Sequence, residues 1–415
     1  MVRNNRRDFY MAIESKTLSG MMLDGQEPEE SKEIHTDIQG GEEMQIMMFL
    51  TNGRLGQGLA LIESAMIDRD DVARIRTAVD PDGKIWIEIE TRGGIHVMAD
   101  ALPLSNRFTE TVYIRIADLC HAVKELAKEQ TVALWVSEGK LYLGGYYNEE
   151  IGGFELEVGF ENCDEFTTVQ ENEFDTVLEL DHVTFNTVLD SIYEFDNVEI
   201  YRMNNTVSYR TGNEKCTIAT VMQNQNQTKS DTSLPNFSVR VPARIFKTLP
   251  LVNALDDELG LYVKLKFNTK YKVMKVEGQY ASLISDFSDG VLKTFNNDGM
   301  VRQFTIMSDA IAAAIGTYFN IHCTDPTGLV KLYAVNDGLL GIETVDQSRM
   351  DVNLTVGNVT IDNADLNIDV PMDVLTMMIR KSGCPKLDLL YNKEANRLMM
   401  VYGNGLFLRK CCYQA

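Results

Sequence analysis

The sequence predicts an α+β protein of three tandem domains, each a β-α-β-β-β unit made twice. Three observations lead there. An alternating strand turns into a helix three times at nearly even intervals, and strand-rich hairpins follow each turn. A second strand-to-helix turn stands half a domain ahead of each of the first three. Repetition with so long a period has to be recognised before any local motif, because each unit buries its apolar face only against its neighbours.

The first set of turns is "YIRIADLCHAVKELAKEQ" from Tyr113, "SVRVPARIFKTLPLVNAL" from Ser238 and "NIDVPMDVLTMMIRKSG" from Asn367. Aligning Ala117, Pro242 and Pro371 gives intervals of 125 and 129 residues. The strands Tyr113–Ile116, Ser238–Val241 and Asn367–Val370 alternate. The helices that follow carry apolar residues at helical spacing: Leu119, Ala122, Val123 and Leu126; Ile245, Phe246, Leu249 and Val252; Val374, Leu375 and Met378. A proline suits the first helical turn, where its missing N–H has no partner to lose. Next come "TVALWVSEGKLYLGG", "LGLYVKLKFNTKYKVMKVEG" and "KLDLLYNKEANRLMMVYGNG", alternating runs broken by short polar turns, which read as hairpins.

The first half of each domain repeats the plan in "MQIMMFLTNGRLGQGLALIESAM", "VLELDHVTFNTVLDSIYEF" and "RQFTIMSDAIAAAIGTYF". The joins "ENCDEFTTVQENEFD" and "SDGVLKTFNNDGMVRQ" set expected domains at 44–165, 174–290 and 300–415. Residues 1–43 read as an acidic, flexible extension, with eight acids between Asp24 and Glu43 against Lys32. Its Arg3, Arg6 and Arg7 suit either phosphate contact or a solvated end.

Composition narrows the classes of function. The chain has 415 residues, 44% hydrophobic and 24% charged, with a net charge of −22. That charge argues against gripping nucleic acid over the whole surface, though not against a local patch or a surrounding ring. No apolar run reaches about 18 residues, so no membrane span is expected, and the start has no secretory apolar region. Seven cysteines (Cys120, Cys163, Cys216, Cys323, Cys384, Cys411, Cys412) form no CxxC pair and predict reduced thiols in a cytoplasmic setting. Adjacent Cys411 and Cys412 have no histidine near them in sequence and read as a strand-end pair rather than a metal site.

An enzyme is not expected. The chain lacks G-x-x-x-x-G-K-[ST], G-x-S-x-G and H-E-x-x-H. "GRLGQG" at Gly53 has glycines without the lysine and hydroxyl of a phosphate loop, and the five histidines lie far apart. Neither a cofactor nor a metal is expected. Acidic pairs such as Asp70/Asp71 and Asp256/Asp257 fall in turn-like stretches.

Three domains, each a doubled β-α-β-β-β unit, resemble the bacterial-type sliding clamp, the beta subunit of replicative DNA polymerase. The most clamp-like pieces are "VPARIFKTLP", after the long loop Gln223–Asn236, and "NIDVPMDVLTMMIRKSG" with its final hairpin; the resemblance runs from Met44 to Ala415. It implies a divergent, phage-type member whose helices line a ring and whose sheets lie outside. Two chains would pair head to tail. The ring would hold double-stranded DNA by topology, without sequence preference, and tether DNA polymerase and a clamp loader through short peptide motifs. A β-rich structural or virion assembly protein with the same repeats is the other reading.

The resemblance also implies sites. Bases on the helices would face DNA: Arg54, Lys124, Lys128, Arg244, Lys247, Arg380 and Lys381. The same helices hold nine acids (Glu63, Asp118, Glu125, Glu129, Asp181, Asp190, Glu194, Asp309 and Asp373), so no basic patch is expected. The peptide pocket would take Thr211, Gly212, Lys215 and Ile218, then Val291 and Leu292, then Phe407, Leu408 and Lys410. The ending "LRKCCYQA" departs from the Met-Pro-Met-Arg-Leu-like family ending. The dimer interface would fall at Phe319, Ile321 and His322.

Overall fold

The computed structural model describes residues 46–50, 53–66, 68, 71–100, 102–103, 111–126, 131–137, 140–147, 150–158, 166, 174–192, 195–203, 206–213, 215–222, 228–232, 236–256, 262–291, 297–321, 328–335, 339–345, 353–356, 359–361, 363, 365–380 and 384–415. These fall in one compact unit, Met44–Ala415. The expected extension at 1–43, and Lys128, Leu292, His322, Lys381, Cys163 and Cys323, lie outside the described residues.

The first domain runs β1 (Ile46–Leu50), α1 (Arg54–Ala65), β2 (Val72–Val79), β3 (Ile85–Thr91), β4 (Ile95–Asp100) and β5 (Leu102–Pro103). Its second half is β6 (Val112–Arg115), α2 (Ile116–Glu125), β7 (Thr131–Ser137), β8 (Lys140–Tyr147) and β9 (Glu150–Val158). The second domain has β10 (Thr176–Leu180), α3 (His182–Ser191), β11 (Asn197–Met203), β12 (Thr206–Gly212), β13 (Cys216–Met222) and β14 (Thr228–Thr232). Then follow β15 (Asn236–Pro242), α4 (Ala243–Ala254), β16 (Val263–Asn268), β17 (Val273–Glu277), β18 (Ala281–Asp286) and β19 (Ser288–Asp289). The third comprises β20 (Val301–Met307), α5 (Ser308–Ile321), β21 (Leu329–Val335), β22 (Leu339–Thr344), β23 (Asn353–Val356) and β24 (Val359–Ile361). It ends with β25 (Asn367–Pro371), α6 (Met372–Arg380), β26 (Lys386–Asn392), β27 (Arg397–Gly403) and β28 (Phe407–Gln414).

The two halves of a domain exchange their opening strands. β1 pairs with β7, while β6 pairs with β2; the same exchange joins β10 to β16 and β15 to β11, then β20 to β26 and β25 to β21. The sheet orders are β5-β1-β7-β8-β9, β14-β10-β16-β17-β18-β4-β3-β2-β6, β19-β15-β11-β12-β13-β28-β27-β26-β20-β24 and β23-β22-β21-β25. The two large sheets each span a domain boundary, through β18 on β4 and β28 on β13.

Strand register fixes the repeat alignment. Arg115, Pro242 and Pro371 sit opposite Val72, Asn197 and Leu329. The counterpart of the two prolines is therefore Arg115, two residues before Ala117, and the intervals become more nearly equal. The prolines also end strands rather than opening helical turns; Pro242 caps α4 with φ −56° and ψ 132°. Within the expected loop Gln223–Asn236, β14 adds an edge strand to β10.

Helix faces follow the sequence periodicity. Ile245, Phe246, Leu249 and Val252 of α4 are buried, as are Leu119, Ala122 and Val123 of α2 and Leu375 and Met378 of α6. In α3 the Asp181 carboxylate caps the Thr184 N–H at 2.7 Å, satisfying a donor that the first turn leaves unpaired. Truncating a ring as buried as Phe246 costs about 3–5 kcal/mol.

Candidate partner seam and helix-borne bases

At the boundary between the second and third domains, β13 and β28 pair over seven registered residues, from Cys216 opposite Tyr413 to Met222 opposite Phe407. Directly opposed residues share a sheet face. Ile218, Thr220 and Met222 thus lie with Phe407, Arg409 and Cys411 on a buried face, while Ala219 and Val221 lie half-buried with Lys410 and Leu408 on the other.

Arg409 is the centre of the buried face, at 1% exposure. Its Nε donates to Thr220 Oγ1 at 3.0 Å, and its Nη2 to the Thr187 carbonyl of α3 at 2.6 Å. Its Cζ stands 4.9 Å from the Phe407 ring and 5.9 Å from that of Tyr402. The guanidinium thus ties the last strand of the third domain to a strand and a helix of the second. Sequence reasoning missed it, although the alternation Phe407, Arg409, Cys411, Tyr413 marks one face of "FLRKCCYQ".

Beside it, burial pushes the Cys411 thiol up to about 11 and the Cys412 thiol up to about 12. Burial raises Cys216 well above the usual thiol range and Tyr402 above that of a phenol. The Tyr402 hydroxyl reaches the Met378 carbonyl and Cys411 Sγ, both at 3.3 Å. Cys411 and Cys412 sit within β28, on opposite faces, rather than at a strand end. Cys120, Cys216, Cys384, Cys411 and Cys412 are all free and buried, and no metal-binding cluster occurs among the described residues.

The other expected pocket residues divide. Thr211 is buried and donates to the Asn197 carbonyl at 3.0 Å. Gly212 has φ +155°, and a Cβ there would stand 2.2 Å from the Cys216 carbonyl oxygen, so only glycine fits this turn. Lys215 is exposed in the same turn, and its carbonyl accepts from the Gln414 N–H at 2.9 Å. Val291 is 66% exposed, with its N–H donated to the Glu199 carboxylate. Ile218 and Phe407 are in the core; Leu408 and Lys410 open outward.

The boundary between the first and second domains is held differently. Ile95, His96 and Val97 of β4 are registered with β18, and one further backbone bond flanks them at each end, from Met98 N–H to the Tyr280 carbonyl and from Ile284 N–H to the Gly94 carbonyl. Arg54, at the start of α1, adds a side-chain clamp. Its Nε donates to the Leu255 carbonyl at 3.0 Å, its Nη1 pairs with Asp100 at 2.8 Å, and its Cζ stands 3.9 Å from the Tyr280 ring. Tyr280 in turn stacks on Trp86 at 5.1 Å. Arg54 is therefore committed to this boundary.

Of the remaining helix bases, Lys124 is exposed and paired with Glu63, which raises its pKa. Lys247 is exposed. Arg244, one turn before it, has no ion-pair partner among the described residues and lines a cavity of about 240 Å³ at this boundary. Arg380 is the last residue of α6, and Phe319 and Ile321 lie in the last turn of α5. The acids are as near: Glu63, Glu125, Asp190, Asp309 and Asp373 are exposed on the same helices.

Two sheet edges complete the pattern. At both boundaries, the fourth strand of a domain's first half (β4, β13) pairs with the last full strand of the next domain's second half (β18, β28). The remaining strands of those two types are β23 and β9, and each ends its sheet among the described residues.

Known structures share this arrangement. The Helicobacter pylori beta clamp superposes with a TM-score of 0.68 at 12% identity, over 89% of this chain and 99% of that one. The DNA polymerase III beta subunit of Thermotoga maritima gives 0.69 at 10%, over 89% and 98%. The beta subunit of Borrelia burgdorferi gives 0.68 at 16%, over 89% and 98%. The fold is that of a bacterial beta clamp. No family profile and no curated protein matches the sequence. No helix among the described residues is long and apolar enough to cross a membrane.

Proposed function

We propose that this chain is a sliding clamp: a non-enzymatic, cytoplasmic processivity factor whose head-to-tail homodimer encircles duplex DNA and tethers a DNA polymerase. The observation that carries this reading is the pair of free edges. β23 and β9 are the strands that would repeat, between two copies, the joint already made twice within one chain. A head-to-tail contact either closes into a ring or propagates. Three domains per chain and one kind of joint favour closure with two copies, six half-units round each half-turn.

Within this reading the domains span 44–165, 174–290 and 300–415, and the seam between copies includes Phe319, Ile321 and His322. Lys124, Arg244 and Lys247, with Lys128, Arg380 and Lys381, face the DNA. With acids interspersed, the grip is weak and falls with salt, and sequence goes unread because only phosphates are touched. Partner peptides of polymerase and clamp loader lie over the second boundary, where Leu408 and Lys410 open outward opposite Val221 and Ala219.

Two measurements test this. Light scattering should give twice the 46.8 kDa chain mass, and Ile321→Lys should give folded monomers, because an unpaired buried charge costs several kcal/mol (roughly). The chain, threaded onto linear duplex whose ends are then blocked with bulky caps, should stay on through a high-salt wash and leave when one cap is cut. An open-ended series of masses, or release that ignores the caps, would contradict the ring.

A further inference from the structure

The register equivalence of the three domains brings one charged pair to the same place in each. Arg74 of β2 stands opposite Glu90 of β3, Glu199 of β11 opposite Arg210 of β12, and Lys331 of β21 opposite Glu343 of β22. In the first two domains an interdomain segment covers this spot. The Phe166 ring lies 4.7 Å from Arg74 Cζ, with its centroid 6.1 Å from that of Tyr113. In the second domain Val291 gives its N–H to Glu199, Gly290 donates to the Ser238 carbonyl at 3.2 Å, and β19 pairs with β15.

In the third domain nothing among the described residues covers this spot. At the equivalent spot the structure has an open cleft of about 640 Å³, within the size range of ligand sites. Lys331, Tyr333, Glu343 and Asn367 belong to its sheet side, Tyr391 and Lys393 form the opposite wall, and Asp365 also lines it. The wall is fixed, because the Tyr391 hydroxyl donates to the Asn367 carbonyl at 3.0 Å. The sheet side is flat, because the Tyr333 ring lies across Gly341, where a Cβ would come within 2.5 Å of it. β25, the counterpart of β15, ends its sheet among the described residues, so the edge that β19 occupies in the second domain is open here. Neither Lys331 nor Lys393 has an ion-pair partner among the described residues.

We propose that this cleft is a second peptide site, which takes an extended acidic segment of a partner protein with an aromatic or aliphatic anchor just after the acids. The occupant's chemistry follows from its counterparts. Phe166 comes directly after Asp164 and Glu165, and Val291 two residues after Asp289. Both segments set an acid ahead of the apolar residue, which suits Lys331 and the exposed Lys393. An extended segment would add to β25 through main-chain bonds opposite Ile368 and Asp369, the counterparts of Val239 and Arg240, and set its anchor between Tyr333 and Tyr391. The site lies away from the boundary between the second and third domains, and it stands whether or not two copies close a ring.

The probe is the labelled nonapeptide Asp-Glu-Phe-Thr-Thr-Val-Gln-Glu-Asn, copied from residues 164–172, titrated against the full chain by fluorescence anisotropy. Saturable binding is expected, weakened about tenfold or more by Lys331→Glu, by Lys393→Glu and by replacing the peptide's phenylalanine with alanine. Lys393 is exposed in a turn, so that variant keeps the readout if Lys331→Glu misfolds. Leu408→Ala should leave binding unchanged. No saturation by roughly 1 mM peptide, or binding indifferent to both lysine reversals, would overturn the site. Self-association beyond the dimer that Lys331→Glu abolishes would assign the cleft to another copy and overturn a partner peptide.

Discussion

The two internal boundaries join equivalent edges by different means. Between the second and third domains, seven registered pairs run along β13 and β28, and the arginine that locks them is buried at 1% exposure. Between the first and second, β4 and β18 share three pairs, and the locking arginine sits near the surface on a stack of Tyr280 and Trp86. Where the backbone ladder is long, the polar lock can lie inside it. Where the ladder is short, side chains at the rim carry more of the joint. The second boundary should therefore behave as core and the first as the place where the chain loosens, since locally stable regions are those with buried, well-bonded backbone.

The largest expected effect is at the second boundary. Arg409→Ala removes a buried cation and strands the Thr220 hydroxyl and Thr187 carbonyl, so stability should fall by about 2–4 kcal/mol in chemical denaturation. A loss under about 1 kcal/mol would mean that the ladder holds without its lock. Arg54→Ala should cost less, about 1–2 kcal/mol, because its ion pair and ring contact are partly solvated. It should speed amide exchange in β4 and β18 while leaving β13 and β28 unchanged. Equal loosening of both boundaries would erase the distinction.

Alkali should weaken the second boundary. Burial holds Cys411 and Cys412 protonated, at about 11 and about 12, against about 8.5 for a free thiol. A group with a raised folded pKa adds stability below its unfolded value, and that stability is lost as pH climbs through the folded one. Stability should hold to about pH 8.5 and decline from there toward pH 11–12, and Cys411→Ser should flatten part of the decline. A flat profile across that window would contradict the burial of these thiols.

The smallest effect on stability belongs to the exposed helix bases. Replacing Lys124 and Lys247 by glutamate should leave the unfolding curve in place, since exposed charges contribute little. Retention on end-capped DNA should weaken. Unchanged retention would mean that these helices do not face the duplex.

Most of the fold was legible because its signals are local. Alternation marked "NIDVP" and "TVLEL" as strands, and helical spacing marked Ile245, Phe246, Leu249 and Val252 as core. The exchange of opening strands was not legible, because the pairing of β1 with β7 depends on contacts across a whole domain. The same limit set Ala117 two residues from its register counterpart Arg115. Among the candidate sites, residue type suggested Arg54 as a DNA contact, but its partners Asp100, Leu255 and Tyr280 come from elements distant in sequence. Arg409 hid for the opposite reason: an arginine on the buried face of a strand reads as surface until its partners on β13 and α3 are seen.

The central claim is that β23 of one copy meets β9 of another. Electron microscopy of the purified protein tests it most directly. The account predicts closed rings of two chains, with β23 and β9 hydrogen-bonded at two symmetric joints like those between β13 and β28. Isolated open arcs, or filaments joined through any other edge, would contradict it.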